Sequence, residues 1–205
     1  MRVLPDPYVL TFLLAVGLVV LLRYSRLLSA VGGSFSCCRG TNGMREMLGN
    51  AYVVDSVRIM FLLLLPFLAL SLTMTGVSNA GYFWTLAALL ALWVFRKLVY
   101  ATAGWLFSRP LEFRSAERVS YALGMLLLLG SVVALLLAWL VPATPRWLLW
   151  GWLGACALVT LLLYARRGFS LFSSCGFSPL LWVLYLCGLE ILPASVVVNI
   201  LVHGN

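Results

Sequence analysis

The chain has 205 residues, of which 63% are hydrophobic and only 10% are charged. Soluble domains carry about a quarter charged residues, so this composition excludes a soluble globular domain. The formal net charge of +8 occurs together with long apolar runs, so it predicts basic loops beside anionic lipid head groups. A polar basic face with interleaved aromatic rings is missing from the sequence, so no nucleic-acid site is predicted.

The apolar runs are continuous, which predicts helices rather than barrel strands, because a helix crosses the hydrocarbon core with about 20 apolar residues. The first run is interpreted as a retained helix, since Arg2 is offset by Asp6 and the next positive charges follow the run. We predict an all-α, polytopic bundle that forms one integral membrane domain over residues 1–205. Its six transmembrane helices are predicted at residues 8–22, 57–75, 80–99, 119–141, 147–164 and 177–202.

Basic residues follow the first, third and fifth predicted helices, and only Arg2 and Arg146 fall on the other side. The positive-inside rule then places three basic segments in the cytoplasm and both termini outside, in a multi-pass protein of the cell inner membrane. We interpret some of these basic residues as inner-surface contacts for anionic head groups or membrane-protein partners. These are Arg39, Arg45, Arg96, Lys97, Arg166 and Arg167.

Two segments on this basic side are long enough to hold structure of their own. Residues 27–56 are predicted as an inner segment with a short interfacial helix at about residues 44–48. In one interpretation the third helix continues to Phe107, and in the other residues 98–118 bend along the membrane surface. Asp55 and Arg58 are three residues apart at a helix start, a spacing that predicts a local ion pair.

Small residues recur at four-residue spacing in the fourth predicted helix, at Gly130, Ala134 and Ala138. Such residues allow helix backbones to approach closely, so we predict packing against another helix of the same chain. The same spacing occurs in two other helices, at Ala87 and Ala91 and at Gly151 and Ala155.

Motifs for catalysis are missing from the sequence. The single histidine is His203, which excludes multi-histidine zinc sites and Ser-His or Cys-His catalysis, and the HExxH and GxSxG patterns are absent. We therefore predict no catalytic residue, cofactor or metal site, and an enzyme acting alone is disfavoured. No cysteine falls in a predicted outside loop, so free thiols are expected at Cys37, Cys38, Cys156, Cys175 and Cys187.

Glu190 is the only acidic residue well inside a predicted span. A charge at the bilayer centre costs at least about 2.5 kcal/mol, so this side chain must face the bundle, find a partner or stay protonated. Pro193 removes a backbone donor one turn later and makes the helix kinkable there. Two interpretations remain open: a proton or substrate site or gate, and a structural glutamate that fixes helix packing.

Three stretches resemble a bacterial membrane-protein family, domain of unknown function 4271, typical of the Bacteroidota. They are Arg-Arg-Gly-Phe-Ser-Leu-Phe at residues 166–172, Leu-Tyr-Leu-Cys-Gly-Leu-Glu-Ile-Leu-Pro at 184–193 and Gly-Trp-Leu-Phe at 104–107. The family pattern has a polar residue or Thr where this chain has Gly188. The resemblance implies a multi-span inner-membrane protein and supplies no activity, substrate or cofactor. It points to four residues as a candidate functional centre: Tyr185, Cys187, Glu190 and Pro193.

Three functional hypotheses follow. The first is a non-enzymatic component that docks partners in a membrane complex, through its long basic inner segments or its helix faces. The second is a small transporter or proton-linked subunit that uses Glu190. The third, a lipid-modifying enzyme, is disfavoured by the missing motifs.

Overall fold

A computed structural model of the chain describes residues 7–75, 81–141 and 145–174, together with residues 195, 196 and 199. The described residues confirm the all-α prediction, because they form helices and short connections without a strand. Seven helices lie within these ranges: α1 Pro7–Leu22, α2 Tyr24–Arg39, α3 Thr41–Gly49, α4 Ala51–Thr75, α5 Tyr82–Leu106, α6 Pro110–Leu140 and α7 Arg146–Ser174.

Four of these helices are long and apolar enough to cross a membrane, over Ala51–Met74, Tyr82–Leu106, Pro110–Leu140 and Trp147–Ser170. At about 1.5 Å per residue, even the 24-residue stretches exceed the roughly 30 Å hydrocarbon core. Only 11% of the apolar window in α5 and 17% of that in α7 is buried, which leaves broad apolar faces for lipid. The chain therefore has the architecture of a membrane protein. Six spans and outside termini stay predictions, and the predicted helix at 177–202 lies almost entirely outside the described residues.

The first predicted helix corresponds to α1, but the chain then bends by 80° into α2. The bend lies at Arg23, which has non-helical φ and ψ angles of −106° and 29°. Counted together, α1 and α2 would make a fifth, broken span. Because α1 has only 16 residues, it rises about 24 Å, less than the hydrocarbon core is thick.

Residues 27–56 are more regular than predicted, since α2 and α3 cover most of this segment. The predicted short helix at 44–48 is confirmed and extended as α3. Gly43 allows α3 to fold back on α2, because a Cβ there would collide with the carbonyl oxygen of Ser36. We call the two helices the α2–α3 layer.

Three spanning helices extend beyond their predicted limits into charged sequence. Helix α4 begins at Ala51 rather than 57, where the Asn50 side chain caps it by accepting hydrogen bonds from the amides of Tyr52 (3.1 Å) and Val53 (3.3 Å). Helix α6 begins with Pro110 in its first turn rather than at 119, and α7 runs to Ser174 rather than 164. Apolar runs mark the part of a helix inside the membrane, and these helices continue past it.

The connection between α5 and α6 is a tight turn. Helix α5 continues without a break to Leu106, and α6 begins at Pro110. Residues 98–118 therefore belong to these two helices and the turn between them rather than to a separate surface segment. Ser108 has a positive φ of 53° in this turn, a conformation that is uncommon outside glycine. The turn brings the end of α5 against the start of α6.

Helices α4 and α6 form the centre of the bundle. Met60 on α4 and Met125 on α6 have no exposed surface. Gly124 admits the Phe61 ring, since a Cβ there would lie 2.7 Å from Phe61 Cε2. The predicted close approach at Gly130 is confirmed: a Cβ would lie 2.6 Å from Cys156 Sγ on α7, and Trp152 Nε1 donates a hydrogen bond to the Gly130 carbonyl at 3.0 Å.

The other predicted small-residue pairs do not all pack within the described bundle. Ala134 is buried against Leu149 and Leu153. In contrast, Ala87 and Ala91 on α5 and Gly151 and Ala155 on α7 are exposed. Small residues at this spacing permit close packing, but the direction of each helix face decides whether a neighbour is there.

Candidate functional site

The ionisable side chains of the bundle collect where α4 and α6 begin and α5 and α7 end, which we call the charged end. Phe113 near the start of α6 makes an edge contact with Phe172 near the end of α7, with 5.6 Å between ring centres. Gly104 near the end of α5 packs on Pro110, since a Cβ on Gly104 would lie 3.2 Å from Pro110 Cα. These contacts bring charges from separate segments of the sequence together.

A cavity of about 290 Å³ opens at the charged end between α4, α5 and α6, and we call it the cationic cleft. Met47 and Val57 form part of its apolar wall. Its charged lining consists of Asp55, Arg58, Lys97, Arg114, Glu117 and Arg118. Four cations face two carboxylates there, so the cleft carries a formal excess of two positive charges.

Three of the four cleft cations are not neutralised by any residue that the structure describes. Arg58, Arg114 and Arg118 are exposed and make no ion pair or side-chain hydrogen bond with any residue in the described ranges. The predicted local pair of Asp55 with Arg58 is therefore not formed, although both residues line the cleft. These guanidinium groups remain available to an anion, for which a planar fork of donors is suited.

Two other charged side chains of the cleft, Glu117 and Lys97, interact with aromatic residues. The Tyr121 hydroxyl donates a hydrogen bond to Glu117 Oε1 at 2.9 Å. Lys97 Nζ lies 5.5 Å from the centre of the Trp93 ring, within cation–π range. Glu117 and Lys97 therefore each have an aromatic partner within the bundle.

A second cavity of about 620 Å³ adjoins the cleft between the end of α5 and the start of α6. The two cavities share Lys97, Arg114 and Glu117 in their linings. The rest of the second cavity is mainly apolar and aromatic, and we call it the apolar compartment. It is lined by Tyr100, Ala101, Gly104, Trp105, Ser108 and Pro110.

A buried hydrogen bond supports the wall of the apolar compartment. The hydroxyls of Tyr100 on α5 and Tyr164 on α7 are 2.7 Å apart, and the two residues are 4% and 6% exposed. Each hydroxyl gives the other a partner in apolar surroundings, where an unsatisfied polar group is costly. This contact fixes the end of α5 relative to α7.

The α2–α3 layer packs over the charged end. Gly33 lies against Val53 at the start of α4, with no room for a Cβ between them. The Arg26 guanidinium lies 5.5 Å from the centre of the Tyr52 ring. Met47 of α3 lines the cationic cleft, so the layer and the cleft are neighbours.

Arg39 and Arg45 lie on this layer, as two of the predicted basic contacts. Both are exposed, and neither makes an ion pair or side-chain hydrogen bond with the residues that the structure describes. Asn42 is exposed between them at the start of α3. The layer therefore presents two exposed cations that no described residue neutralises.

The other predicted basic contacts have different environments. Lys97 lines the cleft, Arg166 is exposed, and Arg96 is half-buried. Arg167 is half-buried, and its Nη2 donates a hydrogen bond of 2.6 Å to the carbonyl oxygen of Cys38 at the end of α2. The Cys38 carbonyl is one of the last four of α2, which lack intrahelical donors. Arg167 therefore supplies the missing donor and connects α7 to the end of α2.

The candidate centre around Glu190 lies outside the described residues. This applies to all four of its members, Tyr185, Cys187, Glu190 and Pro193. Cys37, Cys38 and Cys156 are free thiols, as predicted. Within the described ranges, no three His, Cys, Asp or Glu residues come together as a metal site would require.

Sequence reasoning missed Arg58, Arg114, Glu117 and Arg118 as one group. They were assigned to separate ends and connecting segments, where basic residues are expected for topology alone. One signal was present: residues 114, 117, 118 and 121 recur at the three- and four-residue spacing of a single helix face. That spacing would have been informative had α6 been expected to start before 119.

The comparisons with known proteins give a family and no activity. No curated protein and no solved structure matches the chain. The family described as "Domain of unknown function (DUF4271)" matches residues 8–201, nearly the whole chain. The chain, whose residues 184–193 and 104–107 already resembled this family, is thus a member of the DUF4271 family.

Proposed function

We propose that this protein is a non-enzymatic component of a membrane complex, and that it docks an acidic segment of a partner protein on the α2–α3 layer. The proposal is carried by Arg39 and Arg45, which are exposed on a layer packed over the charged end and have no ion-pair partner among the described residues. Exposed cations that the fold does not neutralise attract acidic partners and increase the rate of encounter.

The packing of the layer favours this role over a loose basic loop. Ala30, Cys37, Met44 and Met47 are buried in the main core, so one face of each helix is fixed while the other carries the arginines. A surface that is rigid before binding loses less conformational entropy on association. The positive-inside rule predicts a cytoplasmic position for this surface, where a partner's acidic segment would meet it.

The proposal is tested by photo-crosslinking in native membranes. A benzophenone amino acid replaces Asn42, which is exposed between the two arginines. We expect a discrete protein adduct that maps to an acidic segment of the partner and disappears in the double variant Arg39→Gln/Arg45→Gln. The control is Lys97→Gln/Arg114→Gln, which removes the same charge from the neighbouring cleft and should leave the adduct unchanged.

Two outcomes would overturn this function. One is an adduct of equal yield in the Arg39→Gln/Arg45→Gln variant, since the cations would then not recognise the partner. The other is crosslinking to lipid alone, since the layer would then lie on the membrane surface. Transport through Glu190 is a separate hypothesis, and no described residue adds to it.

A further inference from the structure

We propose that the cationic cleft and the apolar compartment together form a binding site for one anionic phospholipid. The phosphate would lie among Arg58, Lys97 and Arg114, and an acyl chain would follow the end of α5 past Ala101 and Trp105. This site is separate from the arginines of the α2–α3 layer, so it stands or fails independently of partner docking.

The first argument is charge complementarity. The cleft has an excess of two positive charges, and three of its arginines are exposed without a partner in the described ranges. Arginine binds phosphate oxygens through two parallel N–H donors, and lysine adds a point charge. The cation of a zwitterionic head group would be repelled by the positive charges of the cleft, so the cleft favours an anionic head group.

The second argument is the adjacency of two unlike cavities. Lys97, Arg114 and Glu117 belong to both linings, so a ligand in the cleft is in reach of the apolar compartment. Trp105 in that compartment is 82% exposed, and its ring is amphipathic. A free phosphate would use only the 290 Å³ cleft, whereas a phospholipid would use the adjoining 620 Å³ as well.

The third argument is depth along the helices. Beyond Arg118, α6 has no charged residue up to its end at Leu140. Its charged first turns therefore lie next to the place where the apolar span begins, which is the level of lipid phosphates. Lys97 has a flexible stem along α5, and such stems extend from apolar surface to the head groups.

Native mass spectrometry of the full chain in detergent micelles tests the site. Phosphatidylglycerol and phosphatidylethanolamine with identical acyl chains are titrated against the wild type, Lys97→Gln/Arg114→Gln and the charge-matched control Arg39→Gln/Arg45→Gln. We expect the wild type and the control to prefer phosphatidylglycerol. The cleft variant should bind it at least about tenfold more weakly, because two of the basic residues that attract the phosphate are lost.

Two further measurements separate lipid from soluble phosphate. Ala101→Trp fills the apolar compartment at an exposed position and should displace phosphatidylglycerol without unfolding the protein. Excess glycerol phosphate should compete poorly with the lipid. The proposal is overturned if the cleft variant and the control bind phosphatidylglycerol alike, if Ala101→Trp folds and binds it as the wild type does, or if glycerol phosphate displaces it as effectively as added lipid.

Discussion

The contact between α6 and α7 at Gly130 offers the sharpest quantitative test of the bundle. A Cβ at this position would lie 2.6 Å from Cys156 Sγ and 3.2 Å from Cys156 Cβ. Ordinary van der Waals separations are about 3.5–4.0 Å, so Gly130→Ala forces α6 and α7 apart or moves the cysteine. Overpacking of this kind costs about 1–3 kcal/mol of folding free energy.

Helix propensity acts in the opposite direction and needs a control. Replacing a helical glycine by alanine stabilises a helix by up to about 1 kcal/mol. Gly151 on α7 is exposed, and a Cβ there would have no neighbour within 4 Å. Gly151→Ala therefore gains the propensity without the clash. We expect Gly130→Ala to be less stable than Gly151→Ala by about 1–3 kcal/mol.

The free energies are measured by SDS-induced unfolding in mixed micelles, followed by tryptophan fluorescence. Cys156→Ala removes the sulfur that the new Cβ would meet, so the combined variant Gly130→Ala/Cys156→Ala should be more stable than the sum of the single effects predicts. Additive effects in this cycle, or equal effects of Gly130→Ala and Gly151→Ala, would refute the packing of α6 on α7.

Three further results are expected. Arg167→Gln should destabilise the attachment of α7 to α2 by about 1–3 kcal/mol, because the Cys38 carbonyl loses a charged donor; an unchanged free energy of SDS-induced unfolding would contradict the hydrogen bond. Tyr100→Phe and Tyr164→Phe should show a coupling energy of about 0.6 kcal/mol, and at most about 1.7, in an unfolding cycle; zero coupling would contradict the hydrogen bond. Cys37 has no exposed surface, whereas Cys38 is half-buried. Maleimide should therefore label Cys37 much more slowly than Cys38 in the folded protein and equally fast after denaturation. Equal labelling rates of the two thiols in the folded protein as well would contradict the burial of Cys37.

The apolar runs predicted where the long helices lie, because the bilayer requires continuous apolar stretches and internal backbone hydrogen bonding. They did not predict where those helices end. The first turns of α4 and α6 carry Asp55, Arg58 and Arg114, which look like loop residues to a hydropathy window. The Asn50 cap of α4 and Pro110 at the first position of α6 favour these helix starts, and both are local signals independent of hydropathy.

The bend after α1 was not predictable from composition. Arg23 interrupts the helix, but an arginine after an apolar run is equally typical of a helix that simply leaves the membrane. The direction of α2 follows from tertiary packing, above all the close contact of Gly33 with Val53. Such contacts between distant segments leave little trace in a single sequence.

The sequence predicted the positive charge of the candidate site but not which residues come together to form it. Contact of the basic segments with lipid or a partner stays a prediction, and Lys97 lines the cleft. The grouping of Lys97 with Arg58 and Arg114 required the antiparallel order of α4, α5 and α6. Arg167 was predicted to contact lipid or a partner at the inner surface, but its side chain donates a hydrogen bond to the carbonyl of Cys38 at the end of α2.

The central claim is that the charged end faces the cytoplasm and presents the α2–α3 layer to a partner there. Arg45→Cys, at an exposed position of α3, tests this with a membrane-impermeant maleimide, measured as labelling above that of the unchanged chain. We predict additional labelling in inverted inner-membrane vesicles and none in intact cells. Additional labelling in intact cells would place the layer outside the cytoplasm and contradict the account.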